Sequence, residues 1–163
     1  GEQRGVKRDV LQGGINEPMV VRWPGKVPAG KVSDFQWVFY DVMPTFADIA
    51  GMKAPSETDG MSVLPTLLGK EQKPHKFIYW EFYSGFQQAV IMGDMKAIRY
   101  GTKEKMELYD IGKDRKEGNN IASKYPELVS EMQKIMEREH VEDPHWPSLE
   151  YRKKKGKKKS KKK

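Results

Sequence analysis

The chain has 163 residues, of which 37% are apolar and 33% are charged, and its formal net charge is +7. This length is that of about one ordinary domain. Residues 152–163 hold ten of the 30 Lys and Arg residues and none of the 23 Asp and Glu residues, so residues 1–151 carry a formal charge of −3. The excess of positive charge is therefore confined to this run. For this reason the composition argues against a domain that binds nucleic acid specifically.

Two further classes are disfavoured by the composition. The chain has no Cys, which excludes disulfides, thiolate metal sites and a Cys nucleophile within these residues. No apolar run reaches the length of a membrane span, and the polar first residues lack the hydrophobic core of a signal peptide. We therefore expect that this segment neither crosses a membrane nor directs its own export.

The first recognisable pattern is a cation followed by a double glycine. Lys7 precedes Gly13 and Gly14, and an apolar stretch over residues 18–24 follows Pro18. Glycine permits positive φ and close passage of the backbone. The pattern predicts that Gly13 and Gly14 shape a turn that holds Lys7 at the mouth of a sheet, with residues 18–24 as a strand.

A helix is predicted next, after a polar loop. Asp41 suits its N-cap and Gly51 its C-cap, and Met43 and Phe46 belong to one apolar face. A shorter helix is expected over residues 65–68. Asp48 and Asp59 fit a surface acid and a turn residue, rather than a carboxylate pair for acid–base chemistry.

From residue 77 the apolar pattern changes to a period of two, which is typical of strands. Four strands are predicted, over residues 77–83, 88–92, 96–100 and 106–109. Gly93 and Asp94 join the middle pair in a tight hairpin. A helix over residues 126–140 should cover one face of this antiparallel sheet with the side chains of Leu128, Val129, Met132, Ile135 and Met136.

These patterns divide the chain into three parts. Residues 1–75 are predicted to be the C-terminal portion of a larger α/β domain, and residues 76–148 a small subdomain of antiparallel sheet plus helix. Residues 149–163 are predicted to be a disordered, lysine-rich tail, because such a run cannot bury apolar surface.

Eight short motifs in a fixed order carry a family resemblance. They are Lys7 with Gly13-Gly14-Ile15 and Pro18; Arg22-Trp23-Pro24-Gly25; Asp41 with Met43-Pro44-Thr45 and Ala50-Gly51; Asp59-Gly60-Met61-Ser62; Tyr79-Trp80-Glu81-Phe82; Met92-Gly93-Asp94 with Lys96; Glu107-Leu108-Tyr109-Asp110; and Asn119-Asn120-Ile121-Ala122. In this order they resemble the C-terminal part of the sulfatase family. The resemblance implies an α/β fold class: the end of an alkaline-phosphatase-like mixed sheet, followed by a small four-stranded antiparallel sheet packed on a C-terminal helix.

The resemblance also implies a chemistry. Sulfatases hydrolyse sulfate esters with a hydrated formylglycine beside a calcium ion, and both the nucleophile and the metal ligands come earlier in the family than the residues present here. Lys7 matches the family lysine that contacts the substrate sulfate, and no residue of this chain is assigned to a metal. The chain alone is expected to be inactive. Its implied partners are an N-terminal sulfatase domain and a sulfated small molecule or carbohydrate, and the implied location is periplasmic or secreted.

Several positions depart from the family pattern. Gln12 stands where an acid is usual, Asn16 where Arg is common, Tyr83 where His often follows the aromatic strand, and Ile91 where Arg is common. These departures leave the natural substrate open.

Glu81 and Tyr83 are the candidate substrate-binding residues, because the loop that follows their strand can reach towards the Lys7 side. The alternative is that Glu81 and Tyr83 only form the solvent face of a strand whose other residues are core. His75, His140 and His145 lack the spacing of a metal site and are expected to be exposed to solvent.

Two other functions remain open. A related phosphatase, phosphodiesterase or phosphonate hydrolase would share the fold ancestry but use a metal pair. A non-enzymatic polyanion-binding module would act through the lysine tail. Neither alternative accounts for the ordered motifs as directly as the sulfatase interpretation.

Overall fold

The computed structural model describes residues 2–102 and 104–148, and the predicted tail over residues 149–163 lies outside this part. The helices are α1 (Gln12–Ile15), α2 (Val42–Ile49), α3 (Leu64–Leu67) and α4 (Pro126–Glu139), with single 3₁₀ turns at Phe39–Asp41 and Ala122–Lys124. The strands are β1 (Ile78–Phe82), β2 (Gln87–Met92), β3 (Met95–Tyr100) and β4 (Glu107–Asp110). No helix in the described residues is long and apolar enough to cross a membrane.

The chain forms two compact units. The sheet unit comprises Gly1–Glu17 and Phe77–Lys163, and the helical unit comprises Pro18–Lys76. The sequence predicted a boundary between two parts of the chain near residue 75. The structure has a further boundary between its two units after residue 17. The N-terminal residues therefore pack with the antiparallel sheet, although the whole helical unit separates them from it along the chain.

The four strands of the sheet unit form an antiparallel meander in the order β1-β2-β3-β4, which confirms the predicted sheet. Gly93 and Asp94 connect β2 to β3, with Met92 paired to Met95. Gly93 has a φ of +58°, a conformation that glycine adopts without steric cost. The glycine that predicted this hairpin is therefore required by the backbone geometry of the turn.

Both faces of the sheet are covered. On one face, α4 packs Met132, Ile135 and Met136 against Val90, Ala97 and Leu108, as predicted. On the other, Val10 and Leu11 of the N-terminal segment pack against a cluster that includes Ala89, Ile98, Tyr109, Trp80 and Phe82. Since successive strand residues face opposite sides, the period of two in these strands separates two apolar layers rather than a core and a solvent face.

A buried ion pair joins three stretches of the sheet unit. Lys96 Nζ on β3 lies 2.7 Å from Glu117 Oε1, and both side chains are fully buried. Glu117 Oε2 accepts a hydrogen bond of 2.7 Å from the backbone N–H of Gln12. Burial lowers the pKa of Lys96 below its ordinary value, although the carboxylate of Glu117 acts in the opposite direction. The pair therefore links the sheet and the loop after β4 to the N-terminal segment.

The helical unit is organised around a buried carboxylate. Asp41 is fully buried, and it accepts hydrogen bonds from the backbone N–H groups of Val38 and Met61, each of 2.9 Å. His75 Nε2 lies 2.9 Å from its Oδ2 atom. Asp41 does occupy the N-cap position of α2, but its side chain makes no capping bond there. The carboxylate instead ties the start of α2 to two later loops.

One expectation for the helical unit is wrong in this structure, and the predicted apolar helix face lies exposed. Residues 18–24 form no strand, because a strand needs a hydrogen-bonded neighbour and no described segment supplies one. The apolar face of α2 is not packed either. Met43 and Phe46 are 60% and 66% exposed, and Phe39, one turn earlier, is 91% exposed. The helix instead turns Pro44 and Thr45 towards the interior of the unit.

Replacing one member of the buried ion pair should destabilise the sheet unit strongly. Lys96→Met leaves the carboxylate of Glu117 buried without its counter-charge, which typically costs about 3–5 kcal/mol of unfolding free energy. Urea unfolding followed by circular dichroism measures the loss. The double variant Lys96→Met/Glu117→Gln should recover part of it, because both charges are then removed.

The matched control is the exposed pair of Lys113 and Asp110, whose Nζ and Oδ2 atoms are 3.0 Å apart while the Lys113 side chain is 87% exposed. Lys113→Met should leave the unfolding midpoint unchanged. Equal losses for Lys96→Met and Lys113→Met would show that the buried pair has no special role.

Candidate functional site

Lys7 lies in a tight turn formed by residues 6–9, which we call the Lys7 turn. The backbone N–H of Asp9 donates to the carbonyl of Val6 at 3.0 Å, and the N–H of Val6 donates to Asp9 Oδ2 at 2.8 Å. Lys7 and Arg8 therefore occupy the two central positions. The Lys7 side chain is exposed and makes no hydrogen bond or ion pair with the described residues. The turn presents a free ammonium group.

The backbone of this turn is strained at the residue after Lys7. Arg8 has a φ of +80°, the left-handed value that the third position of a type II turn requires and that glycine usually supplies. A residue with a Cβ atom pays about 1–2 kcal/mol for this conformation. Such strain persists only where surrounding contacts impose it, and here both ends of the turn are closed by hydrogen bonds.

Gly13 and Gly14 lie in α1, and their backbone packs against the backbone of the Lys7 turn and of the residue before it. A Cβ atom on Gly14 would lie 2.3 Å from the carbonyl oxygen of Asp9 and 2.7 Å from that of Val6. A Cβ atom on Gly13 would lie 2.4 Å from the carbonyl oxygen of Gly5. Neither glycine has a positive φ, so that part of the expectation is wrong. Glycine is required at both positions because the backbone of α1 packs closely on the backbone of residues 4–9.

The start of β2 lies beside the Lys7 turn. The side-chain amide of Gln87 donates to the carbonyl of Arg8 at 3.2 Å, and its oxygen accepts from the N–H of Val10 at 3.3 Å. Val10 itself is only 2% exposed. Glu81 on β1 and Tyr83 just after it therefore belong to a hairpin whose β2 end lies next to the segment that carries Lys7, and Lys7 makes no hydrogen bond or ion pair with Glu81.

Glu81 is engaged within the sheet unit rather than free on a solvent face. Its Oε2 atom accepts from the hydroxyl of Tyr79 at 2.5 Å and lies 2.7 Å from Nδ1 of His140. The Glu81 and His140 side chains are each 21% exposed. Burial, together with the hydrogen bond to Glu81, raises the pKa of Tyr79 above its ordinary value. Glu81 thus ties β1 to the end of α4.

A buried polar row continues from this carboxylate across the next two strands. Gln88 Nε2 donates to the hydroxyl of Tyr79 at 2.8 Å, and Gln88 Oε1 accepts from Nη2 and Nε of Arg99 at 2.6 and 3.1 Å. Gln88 and Arg99 are 1% and 4% exposed. Each member has its partners, as buried polar groups require, so the row is a fixed structural element under α4.

Tyr83 is half-buried and lies between two other aromatic rings. Its ring centroid is 5.1 Å from that of Phe82 and 4.9 Å from that of Trp146. The sequence analysis missed Trp146, which follows α4. An aromatic residue in a polar segment was the available signal, but the contact with Tyr83 joins positions far apart in the chain.

The histidines differ from expectation in two of three cases. His75 is only 10% exposed and contacts Asp41, and His140 is partly buried against Glu81, so the prediction that both are exposed to solvent is wrong. His145 is exposed. Within residues 2–102 and 104–148, no group of three or more His, Asp or Glu side chains is arranged to hold a metal ion.

Comparison with known proteins places this geometry in context. Residues 4–142 match the family model described as N-sulphoglucosamine sulphohydrolase, C-terminal. Among curated relatives, an N-acetylgalactosamine-6-O-sulfatase of Bacteroides thetaiotaomicron is 30% identical over 155 residues, covering 84% of this chain and 30% of the relative. The chain therefore spans less than a third of the length of that relative.

Solved structures agree with the sequence matches. A structure associated with the metabolism of multiple glycosaminoglycans by Bacteroides thetaiotaomicron has a TM-score of 0.72 at 28% identity, covering 84% of this chain and 32% of the other. Another, in complex with its substrate D-glucosamine-2-N,6-O-disulfate, has a TM-score of 0.62 at 25% identity, covering 72% and 27%. The predicted family resemblance and fold class are confirmed.

The packing of α1 on the Lys7 turn can be tested by adding a single methyl group. Gly14→Ala places a Cβ atom against two backbone carbonyls that cannot move without opening the turn. We expect a loss of about 1–3 kcal/mol in unfolding free energy, as is typical of overpacked sites, measured by urea unfolding. Gly118→Ala is the matched control, because its Cβ atom would meet only a side-chain oxygen at 4.0 Å. A Gly14→Ala variant as stable as Gly118→Ala would contradict this account.

Proposed function

Because the chain belongs to the family of N-sulphoglucosamine sulphohydrolase C-terminal regions, we propose that it forms the C-terminal part of a sulfatase that hydrolyses carbohydrate sulfate esters. The observation that carries this proposal is Lys7, exposed and unpaired in a strained turn within the matched residues. The named activities of the relatives support the choice of a sulfated carbohydrate as the substrate class.

The chemistry of a sulfate ester explains the use of a lysine. When the bond between sulfur and the ester oxygen breaks, negative charge develops on the leaving oxygen and remains on the sulfuryl oxygens. A fixed ammonium group stabilises this charge most where water is excluded. Lysine provides a compact charge with three donors, and Lys7 has no other partner among the described residues.

The strained backbone at Arg8 is consistent with this role. Strain of this kind concentrates at sites whose geometry is imposed for function. The Lys7 turn is closed by two hydrogen bonds and backed by α1, so the Cα–Cβ direction of Lys7 is set by the backbone. We propose that this fixed starting direction keeps the ammonium group within reach of the substrate sulfate, whose binding then orders the side chain.

The remaining groups expected of the family do not fit the described residues. Calcium needs several carboxylate or carbonyl oxygens, and the described part of the chain has no cluster of three acids or histidines. In this family formylglycine is made from a Cys or Ser that has Pro two residues later, and the chain has no Cys and no Ser followed in this way. We propose that both groups reside in the larger portion of the relatives that this chain does not span.

Glu81 and Tyr83 have different proposed roles. The Oε2 atom of Glu81 is occupied by Tyr79 and His140, so Glu81 is proposed to position its neighbours beside the substrate. Tyr83 is half-buried just after β1, and Gln87, the first residue of β2, contacts the Lys7 segment. Tyr83 is the better candidate for direct contact with a substrate.

The helical unit offers a surface for the expected protein partner. Phe39, Met43 and Phe46 follow the spacing of one helix face and are 60% exposed or more, and Val20 is 91% exposed. An apolar surface of this kind is unusual for a protein free in water. We propose that it packs against the N-terminal part of the sulfatase fold.

Removal of the Lys7 charge should abolish most catalysis in the complete enzyme. Lys7→Met keeps the length of the side chain but loses the charge, and the loss of one such contact typically lowers kcat by about 100- to 1,000-fold. Sulfate release from N-acetylgalactosamine 6-sulfate and from 4-nitrophenyl sulfate provides the measurement. Lys134→Met, at an exposed position on α4, is the control. Unaltered kcat in Lys7→Met would exclude the proposed role.

The proposed docking surface predicts opposite effects of one variant in two settings. In the 163-residue chain, the double variant Phe39→Ser/Phe46→Ser should reduce self-association in sedimentation velocity, because it removes exposed apolar area. In the complete protein the same variant should lower the thermal unfolding midpoint, because there the two rings would be buried. An unchanged midpoint in the complete protein would argue against docking at this surface.

A further inference from the structure

The sheet unit carries an aromatic surface that extends beyond Tyr83, the residue proposed to contact the substrate, and ends at an exposed ring. Phe82, Tyr83 and Trp146 form a continuous series of tilted rings, which we call the aromatic row, with centroids 5.1 and 4.9 Å apart. Phe82 packs inward against the core cluster that includes Val10 and Ala89. Trp146, at the other end, is 58% exposed. The row thus begins in the core and ends at the surface.

The segment that holds Trp146 is fixed by its own hydrogen bonds. Asp143 Oδ1 accepts from the backbone N–H groups of His145 and Trp146 at 2.6 and 3.3 Å. On the other side, the two carboxylate oxygens of Glu142 accept from the N–H and the hydroxyl of Ser148 at 2.8 and 2.5 Å. Trp146 is therefore presented by contacts on both sides of it, with its ring tilted against Tyr83.

The chemistry of this surface matches one face of a sugar ring. The face of an aromatic ring carries partial negative charge, whereas one face of a pyranose carries C–H groups that are apolar and slightly positive. The hydroxyl groups lie at the rim of the sugar, where they meet hydrogen-bond acceptors. Glu81 and Glu142 supply carboxylates on either side of His140, with Glu142 Oε2 3.6 Å from Nε2 of that histidine.

The charges around the row select among sugars. Glu81, Glu142 and Asp143 are acidic, and the ion pairs of Glu81 and Glu142 are with His140. Carboxylates accept hydrogen bonds from hydroxyl groups but repel a sulfate, since like charges at close range are unfavourable. The sugar unit that fits this position is therefore one without a sulfate.

We propose that the aromatic row, ending in Trp146, binds an unsulfated pyranose unit of a carbohydrate chain. The inference rests on the proposed function, because the carbohydrate would be a substrate that carries its sulfate ester on another sugar unit. Trp146 is then a binding residue for longer substrates, and monosaccharide sulfates do not reach it.

Binding can be measured without catalysis. Saturation-transfer difference NMR on the complete protein with chitotetraose, a neutral N-acetylglucosamine oligosaccharide, should give its strongest signals at the ring C–H protons. Trp146→Leu retains an apolar side chain over Tyr83 but removes the aromatic face. This variant should bind about 3- to 10-fold more weakly, as expected for the loss of one aromatic contact, with an unchanged unfolding midpoint.

The matched control is Tyr125→Leu, which removes another exposed aromatic ring of the sheet unit, 47% exposed and outside the row. It should leave the affinity for chitotetraose unchanged. Equal affinities for Trp146→Leu and the unaltered protein would overturn the proposal. Tighter Trp146-dependent binding of a fully sulfated oligosaccharide than of chitotetraose would overturn the selection against sulfate.

Turnover separates this proposal from the proposed function. Trp146→Leu should raise KM for a chondroitin 6-sulfate tetrasaccharide by a similar factor and leave kcat/KM for N-acetylgalactosamine 6-sulfate unchanged. If the complete protein released no sulfate from any ester, the proposed function would fail, whereas the NMR titration would still decide whether Trp146 binds sugar. Equal effects of Trp146→Leu on both substrates would point to a structural role and contradict the proposal.

Discussion

The buried ion pair of Lys96 and Glu117 is the contact on which the arrangement of the sheet unit depends. It joins β3 and the loop after β4, and the second oxygen of Glu117 holds the backbone of Gln12. Both ions are removed from water, which is costly unless each charge meets its partner. Arrangements that separate the three stretches would leave a charge buried alone. We infer that the pair selects one placement of the N-terminal segment on the sheet.

The position of Lys7 follows from that placement through a short series of contacts. Glu117 fixes the first residue of α1, the glycines of α1 pack on the carbonyls of the Lys7 turn, and Gln87 binds the backbone on the far side of it. None of these contacts involves the Lys7 side chain. These contacts thus fix the position of the Lys7 backbone and leave the ammonium group free to bind a ligand.

The sequence was most informative where local chemistry decides the structure. The hairpin at Gly93 and the stripe of α4 depend on neighbours in the chain, and both were predicted. The strand over residues 18–24 was not observed, because strand formation depends on a partner that the described residues lack. Two pairs join positions that are distant in the chain: Lys96 with Glu117, and Glu81 with His140. The identity of one residue does not indicate which residue it pairs with. Lysine and glutamate side chains are also rarely buried. From the residue types alone, Lys96 and Glu117 would therefore be expected to be exposed to solvent.

The path of the chain has a consequence for how the protein tolerates change in length. The chain leaves the sheet unit after Glu17 and returns at Phe77, so the entire helical unit is an insertion between two parts of one fold. Closing such a loop costs entropy that grows only with the logarithm of its length, by about 0.6 kcal/mol for each doubling. Changes in length at exposed loops between these two residues should therefore add little to the entropic cost of closing the sheet unit.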